Sequence, residues 1–195
     1  GRLGYVLFYQ PVYFLNNPAE IFAIWHGGMS FHGGFLGVLI GLFWISKKYK
    51  ISWLSLTDFV APLVPLGLFF GRIGNFINQE LWGRTTDVPW AMVFKNIDDI
   101  PRHPGQLYEA FGYLFVFLIV YFIYWKTKKG MQEGYLFGLF LLLLMTVRVF
   151  VEQFKIAQVD GREDWILGFN TGQILSIPFI LIGIYFMFFH KRKTS

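Results

Sequence analysis

The sequence predicts an all-α, polytopic integral membrane protein. Three observations carry that expectation. Of its 195 residues, 55% are hydrophobic and 21% aromatic, while only 15% are charged; a soluble domain carries nearer 25% charged residues. Five apolar stretches approach the roughly 20 residues that cross a hydrocarbon core. Basic clusters recur after every second stretch, as the positive-inside rule requires of loops on the cytoplasmic face.

The stretches fall at 31–46, 54–71, 107–125, 134–151 and 172–189. Before them lies a short apolar segment, GRLGYVLFYQPVYFL, that Pro11 interrupts. All of 1–195 is expected to form one transmembrane helical domain, with a small periplasmic head over 75–106. Lys47, Lys48 and Lys50 follow the first span, Lys126, Lys128 and Lys129 the third, and Lys191, Arg192 and Lys193 the last. These are nine of the 17 basic residues, all on one side if every span crosses. That side, with the C-terminus, is then cytoplasmic. The net charge of +5 sits in these juxtamembrane clusters, which is no nucleic-acid footprint. No cysteine is present, so a disulfide scaffold and a protein-borne thiol nucleophile are excluded. The chain begins at Gly1 in mid-pattern, and a preceding N-terminal part is expected.

Two arginines lie within or against apolar spans: Arg72, after LVPLGLFFG, and Arg148, after GYLFGLFLLLLMTV. A charge at mid-helix costs roughly 2.5–3.5 kcal/mol on insertion scales, so such a residue marks a functional site by default. The competing reading is a snorkelling or ion-paired arginine near a helix end. Topology places His32, Arg72, Glu109 and Arg148, from four different spans, at one outer depth.

HGGMSFHGG (His26 to Gly34) holds two HGG triplets, and Gly33, Gly37 and Gly41 follow at a spacing of four. Small residues so spaced let helices approach closely. Gly27 and Gly28 suit a turn. His32 can act as a base near neutral pH, or serve as an interfacial hydrogen-bonding residue; His26 reads as a surface residue. In GRIGNFINQELWGR, Arg72, Asn75 and Asn78 recur every three residues and share a side if the helix continues. A guanidinium fork matches phosphate oxygens, and the set suits a phospholipid headgroup; alternatively it is a helix-terminal network, with Glu80 neutralising Arg72 or Arg84. In PRHPGQLYE, Pro104 opens a span and Gln106, Tyr108 and Glu109 fall in its first turns, where the helix dipole alone would favour Glu109. His103 reads as a loop residue. Arg148 and Glu152 lie four apart, with Lys155 three further on. They form either an i,i+4 pair or a carboxylate aiming its arginine. The four histidines do not cluster with carboxylates at metal-ligand spacing, so no metal or other cofactor is expected. Ser30, between Met and Phe, is a poor nucleophile setting.

HGGMSFHGG, GRIGNFINQELWGR, RHPGQLYE and the closing TGQILSIP resemble, in order and over nearly the whole chain, the prolipoprotein diacylglyceryl transferase family. The resemblance implies transfer of the diacylglyceryl group of phosphatidylglycerol to the lipobox cysteine of a prolipoprotein signal peptide. A thioether forms and glycerol phosphate leaves. It also implies a seven-helix body. By position, His32 matches the essential histidine of the FHGG element. Arg72 and Asn75 match GRxGN, Glu80 the acidic position after it, and Arg148 and Glu152 the penultimate helix. On this reading His32, Arg72 and Arg148 are catalytic, and Asn75, Asn78, Glu80, Glu109 and Glu152 bind substrate. Gln79 departs from an expected glycine, Lys155 from an arginine and Leu144 from a tyrosine that relatives can carry. The rival function is a non-catalytic phospholipid-binding subunit or transporter using the same arginines.

Overall fold

The computed structural model describes residues 1–8, 11–26, 31–156 and 171–190. Gly27, Gly28 and Ser30, the segment 157–170 and the basic cluster Lys191, Arg192 and Lys193 lie outside the described residues. The chain divides into two compact units, Gly1–Leu56 and Thr57–Ser195.

The first unit holds α1 (Arg2–Phe8), α2 (Pro11–Asn16), two 3-10 turns (Pro18–Phe22 and Ile24–His26) and α3 (Phe31–Tyr49). Pro11 opens α2, a position where a missing N–H costs nothing. Arg2 donates from Nε to the carbonyl of Ile21 at 3.2 Å, tying α1 to the first 3-10 turn. Of the glycine series, Gly33 does the close packing: a Cβ there would lie 2.9 Å from Gly4 Cα, whereas one on Gly37 or Gly41 would meet nothing within 4 Å among the described residues.

α4 (Trp53–Val60) crosses the unit boundary and leads into α5 (Leu63–Ile77). The expected single span over 54–71 is therefore broken, with a 40° bend. The cause is local. Pro62 and Pro65 lack the amide N–H that would join the two helices. The second half also runs further than expected, to Ile77, so Arg72 lies inside α5 rather than at its end. The segment between α5 and the next long helix carries a short antiparallel pair, β1 (Met92–Val93) and β2 (Pro101–Arg102), with Met92 opposite Arg102. Arg102 holds it from within: Nη2 reaches Asp98 Oδ2 at 2.5 Å, and the guanidinium lies 4.5 Å from the Trp82 ring centroid. That bond keeps the Asp98 carboxyl below the ordinary aspartate range. α6 (Gly105–Lys126), a 3-10 turn (Lys128–Met131), α7 (Tyr135–Glu152) and α8 (Thr171–Ile184) follow, the last continuing as a π-turn over Tyr185–Phe189.

Among the described residues, α6 and α7 are long and apolar enough to cross a membrane, and the bent pair α4–α5 counts as a third. The other two expected spans are helical, but the apolar run at the C-terminus is shorter, Ser176–Phe189. α6 shows what a membrane does to helix patterning. Its buried face carries Tyr113, Val116 and Val120, yet the opposite face exposes Phe111, Phe115, Leu118, Phe122 and Trp125. A helix apolar all round suits lipid on its outer side.

α6 packs between α5 and α7, and α8 packs on α7. The core joins Tyr113, Val116 and Val120 to Leu136, Leu139, Phe140 and Leu144. Because lipid tails are as apolar as leucine, this association rests on close van der Waals packing. Gly138 and Gly183 supply it between α7 and α8. A Cβ on Gly138 would stand 2.8 Å from the Gly183 carbonyl, and one on Gly183 would stand 2.7 Å from that of Gly138. At the start of α7, Asp58 of α4 caps from a distance: it accepts from Gly134 N at 2.5 Å and from Phe137 N at 2.7 Å.

Candidate active site

The polar residues of the second unit gather where the C-terminal ends of α5 and α7 meet the N-terminal end of α6. α5 contributes Arg72 and, one turn later, Asn75. The helix then stops at Asn78, and the chain reverses through Gln79 and Leu81, both left-handed at φ 57° and 55°. The reversal brings Glu80 back onto Asn75: Glu80 N donates to the Asn75 carbonyl at 2.8 Å, and Asn75 Nδ2 donates to Glu80 Oε2 at 3.0 Å. Gln79 uses its side chain to fix the outer loop, accepting from Asn96 N at 2.9 Å.

α6 contributes Gln106, Glu109 and Tyr113, spaced three and four apart, on one face. All three are nearly fully buried, at 0%, 1% and 3% exposure. α7 contributes Arg148 and Glu152, and Lys155 follows its end. Lys155 is fixed because the chain there bridges Gly83, with Arg84 N donating to the Phe154 carbonyl at 2.8 Å and Arg84 Nε to that of Lys155 at 2.7 Å.

Glu109 is the hub. Arg72 Nε reaches its Oε2 at 2.7 Å. Lys155 Nζ and Tyr113 Oη both donate to Oε1, each at 3.3 Å. Arg72 Nη1 also donates to Asn75 Oδ1 at 3.2 Å, and Lys155 approaches Glu152 Oε2 at 3.6 Å. Gln106 Nε2 donates to the Glu80 carbonyl at 2.6 Å, while its Oε1 is buried without a hydrogen-bond partner among the described residues. Arg148, half-buried, makes no hydrogen bond or ion pair with a described residue.

The cluster thus sets three cations (Arg72, Arg148 and Lys155) against two buried carboxylates (Glu109 and Glu152). Glu80, exposed and bound to Asn75, adds a third carboxylate to the same network, and the low dielectric around its buried members makes each contact there strong.

Of the residues the sequence singles out, Arg72, Asn75, Glu80, Glu109 and Glu152 lie in one connected network, and Arg148 lies one turn before Glu152 without a bond to it among the described residues. Asn78 stays outside it: it caps α5 and is exposed. His32 is the second residue of α3, in the first unit, and its side chain lies outside the described residues. By sequence, Lys155 is a neighbour of Glu152 and a replacement for an arginine that relatives can carry, and Tyr113 is not singled out within its aromatic-rich span. The signal for Tyr113 was its place four residues after Glu109. Outside the network, His26 Nδ1 meets Glu20 Oε2 at 2.8 Å, and His103 Nδ1 meets Tyr108 Oη at 3.0 Å.

Fold and site together define a polytopic helical membrane protein with a largely buried cluster of paired charges at one end of its helices. A family model described as prolipoprotein diacylglyceryl transferase matches residues 1–189. A protein of Nitrosomonas europaea named phosphatidylglycerol–prolipoprotein diacylglyceryl transferase is 50% identical over 193 residues, which is 98% of this chain and 68% of that protein. The protein of the same name from Nitrosospira multiformis is 49% identical over 195 residues, 100% of this chain and 67% of its own. That of Legionella pneumophila is 50% identical over 187 residues, 95% and 72% respectively. The chain belongs to the prolipoprotein diacylglyceryl transferase family.

Proposed function

We infer that this protein transfers the diacylglyceryl group of phosphatidylglycerol to the lipobox cysteine of prolipoproteins. The cysteine sulfur attacks C3 of the diacylglycerol, the C–O bond to phosphate breaks, and glycerol phosphate departs. The substrate supplies the thiol, in keeping with a chain that has no cysteine. The observation that carries the reading is Arg148, a partly buried guanidinium one turn before Glu152 with no hydrogen bond or ion pair among the described residues. A phosphodiester carries one negative charge, which balances that of Arg148.

Chemistry follows from that balance. As the C–O bond breaks, the phosphate passes from one negative charge towards two. Fixed donors aimed at charge that develops in the transition state are among the largest contributors to catalysis. Arg72 and Arg148 grip the phosphate, and Asn75 orients the headgroup while Glu80 holds Asn75 in place. Glu109 and Glu152 fix the cations, so that no reorganisation is needed when the charge appears. His32 deprotonates the thiol, whose ordinary pKa near 8.5 leaves little thiolate at neutral pH. The active site faces the outer leaflet of the inner membrane, and the C-terminus is cytoplasmic, as the basic clusters indicate.

The test incubates full-length protein with phosphatidylglycerol and a lipobox peptide and looks for the thioether by mass. Thioether formation supports the reading. Lipid binding without product, in a folded protein, favours the non-catalytic binding subunit instead. Within the same assay, recovery of His32→Ala at high pH identifies His32 as the base; its absence assigns thiol activation to the arginine field.

A further inference from the structure

We propose that the Tyr113 hydroxyl is a third donor to the departing phosphate, beside Arg72 and Arg148. The inference rests on the reading of the cluster as a phosphodiester site.

Four features point to it. Tyr113 is 3% exposed in the α6–α7 core, where a phenylalanine would pack as well, yet it brings a hydroxyl into the charged network. That hydroxyl is held weakly. Its acceptor is Glu109 Oε1 at 3.3 Å, and the same oxygen receives Lys155 Nζ at 3.3 Å. A strong O–H donor to a carboxylate sits about 2.5–2.7 Å away. The proton can therefore turn to a better acceptor by rotating about the C–O bond, with the ring unmoved. Thirdly, the hydroxyl and Arg72 meet the same carboxylate, Arg72 Nε at 2.7 Å from Glu109 Oε2 and Tyr113 Oη at 3.3 Å from Oε1. An anion gripped by Arg72 therefore stands near it. Fourthly, Glu109 loses nothing when the hydroxyl turns, because Arg72 and Lys155 still hold both of its oxygens.

The chemistry assigns the bond to the transition state. The phenol keeps its proton and donates only a hydrogen bond. The electron pair of the breaking C–O bond goes to the phosphate oxygen, and the thiol proton goes to the base. A neutral donor adds little to the binding of a monoanion and more to an oxygen acquiring a second charge. Tyr113 therefore acts on kcat rather than on KM.

The experiment uses full-length protein in nanodiscs with phosphatidylglycerol and a lipobox peptide. Tyr113→Phe removes one oxygen and keeps the packed ring. It should lower kcat by about 10- to 100-fold, with KM for the lipid and the melting temperature close to those of the parent. A kcat equal to the parent's overturns the proposal, and so does a raised KM at constant kcat, since that marks a ground-state contact. Should the variant fail to fold, 3-fluorotyrosine at position 113 replaces it. A more acidic donor raises kcat if the bond strengthens in the transition state; an unchanged kcat means the phenol only packs. Arg72→Ala and Arg148→Ala run alongside. If they keep turnover, the phosphodiester reading itself falls; if they lose it while Tyr113→Phe does not, only the role of Tyr113 falls.

Discussion

Arg72 Nε and Glu109 Oε2 meet at 2.7 Å across two helices, where the Glu109 side chain is 1% exposed. The pair is stabilising only while both members remain, because burying either charge alone is costly. Glu109→Gln keeps the shape and removes the charge, leaving Arg72 and Lys155 without their shared anion. The expected loss is about 3–5 kcal/mol of stability, read as a lower melting temperature in detergent. Replacing Arg72 and Glu109 together by apolar residues of similar size should restore much of it. A single variant as stable as the parent would show that the pair is solvated after all.

Arginine geometry makes a separate prediction. A lysine at 72 or 148 keeps the charge and loses the planar fork that matches two phosphate oxygens. Turnover of Arg72→Lys and of Arg148→Lys should fall by about 10²-fold or more, while lipid binding falls less. If Arg148→Lys keeps parental turnover, the residue works as a point charge, and the bidentate grip is wrong for that helix.

The cationic side of the cluster was legible because arginine in an apolar run is costly and therefore conspicuous: Arg72 and Arg148 announce themselves. The identity of Glu109's partners was not. Which of several basic residues a carboxylate meets depends on how helices separated by dozens of residues dock, and Lys155 arrives only because the chain after α7 bridges back to Gly83. Tyr113 was hidden for the opposite reason. Its ring fits the apolar pattern, so hydropathy reads it as core and says nothing of the hydroxyl. The break at Pro62 escaped in the same way: averaged hydropathy dilutes a single proline among apolar neighbours and ignores the missing N–H. Asn75 and Glu80 were legible as types at a spacing, but their contact needs the reversal at Gln79, which no periodicity encodes.

Asp58 gives a prediction far from the chemistry. Its two carboxylate oxygens take the amides of Gly134 and Phe137 at the start of α7. An N-terminal cap is worth about 0.5–2 kcal/mol, and more is at stake where the amides are buried. Asp58→Ala should lower the melting temperature, and Asp58→Asn, which still accepts one bond, should recover part of the loss. Equal stability of Asp58→Ala and parent would mean that other groups satisfy those amides.

Gln79 separates a backbone effect from a side-chain effect. Its φ of 57° is a left-handed conformation, which costs an L-residue roughly 1–2 kcal/mol. In return its Oε1 receives Asn96 N at 2.9 Å. Gln79→Ala loses the hydrogen bond and keeps the strain, so it should destabilise by about 1 kcal/mol. Gln79→Gly loses the bond and the strain together and should be near neutral. The two variants are compared by chemical or thermal unfolding. If the alanine variant proves as stable as the glycine one, the left-handed backbone is not the deciding term.

Gly83 is where fold and site are joined most tightly, and it separates stability from activity. The residue passes between two backbone carbonyls: a Cβ there would lie 2.6 Å from the oxygens of both His103 and Phe154. Neither neighbour is the free end of a side chain, so the backbone itself must move. His103 precedes α6, which carries Glu109, and Phe154 precedes Lys155. Gly83→Ala therefore pushes apart the two segments whose side chains meet at 3.3 Å, Lys155 Nζ to Glu109 Oε1. Overpacking of this kind typically costs about 1–3 kcal/mol, which leaves the protein folded at moderate temperature. Turnover should suffer more, by about 10²-fold, since a displacement near 1 Å in a preorganised site is enough for that. The check is a parallel measurement of melting temperature and thioether formation. A variant that loses stability but keeps its turnover would mean that the outer segment can shift without carrying Lys155 away from Glu109, and that the cluster tolerates looser geometry than the distances imply.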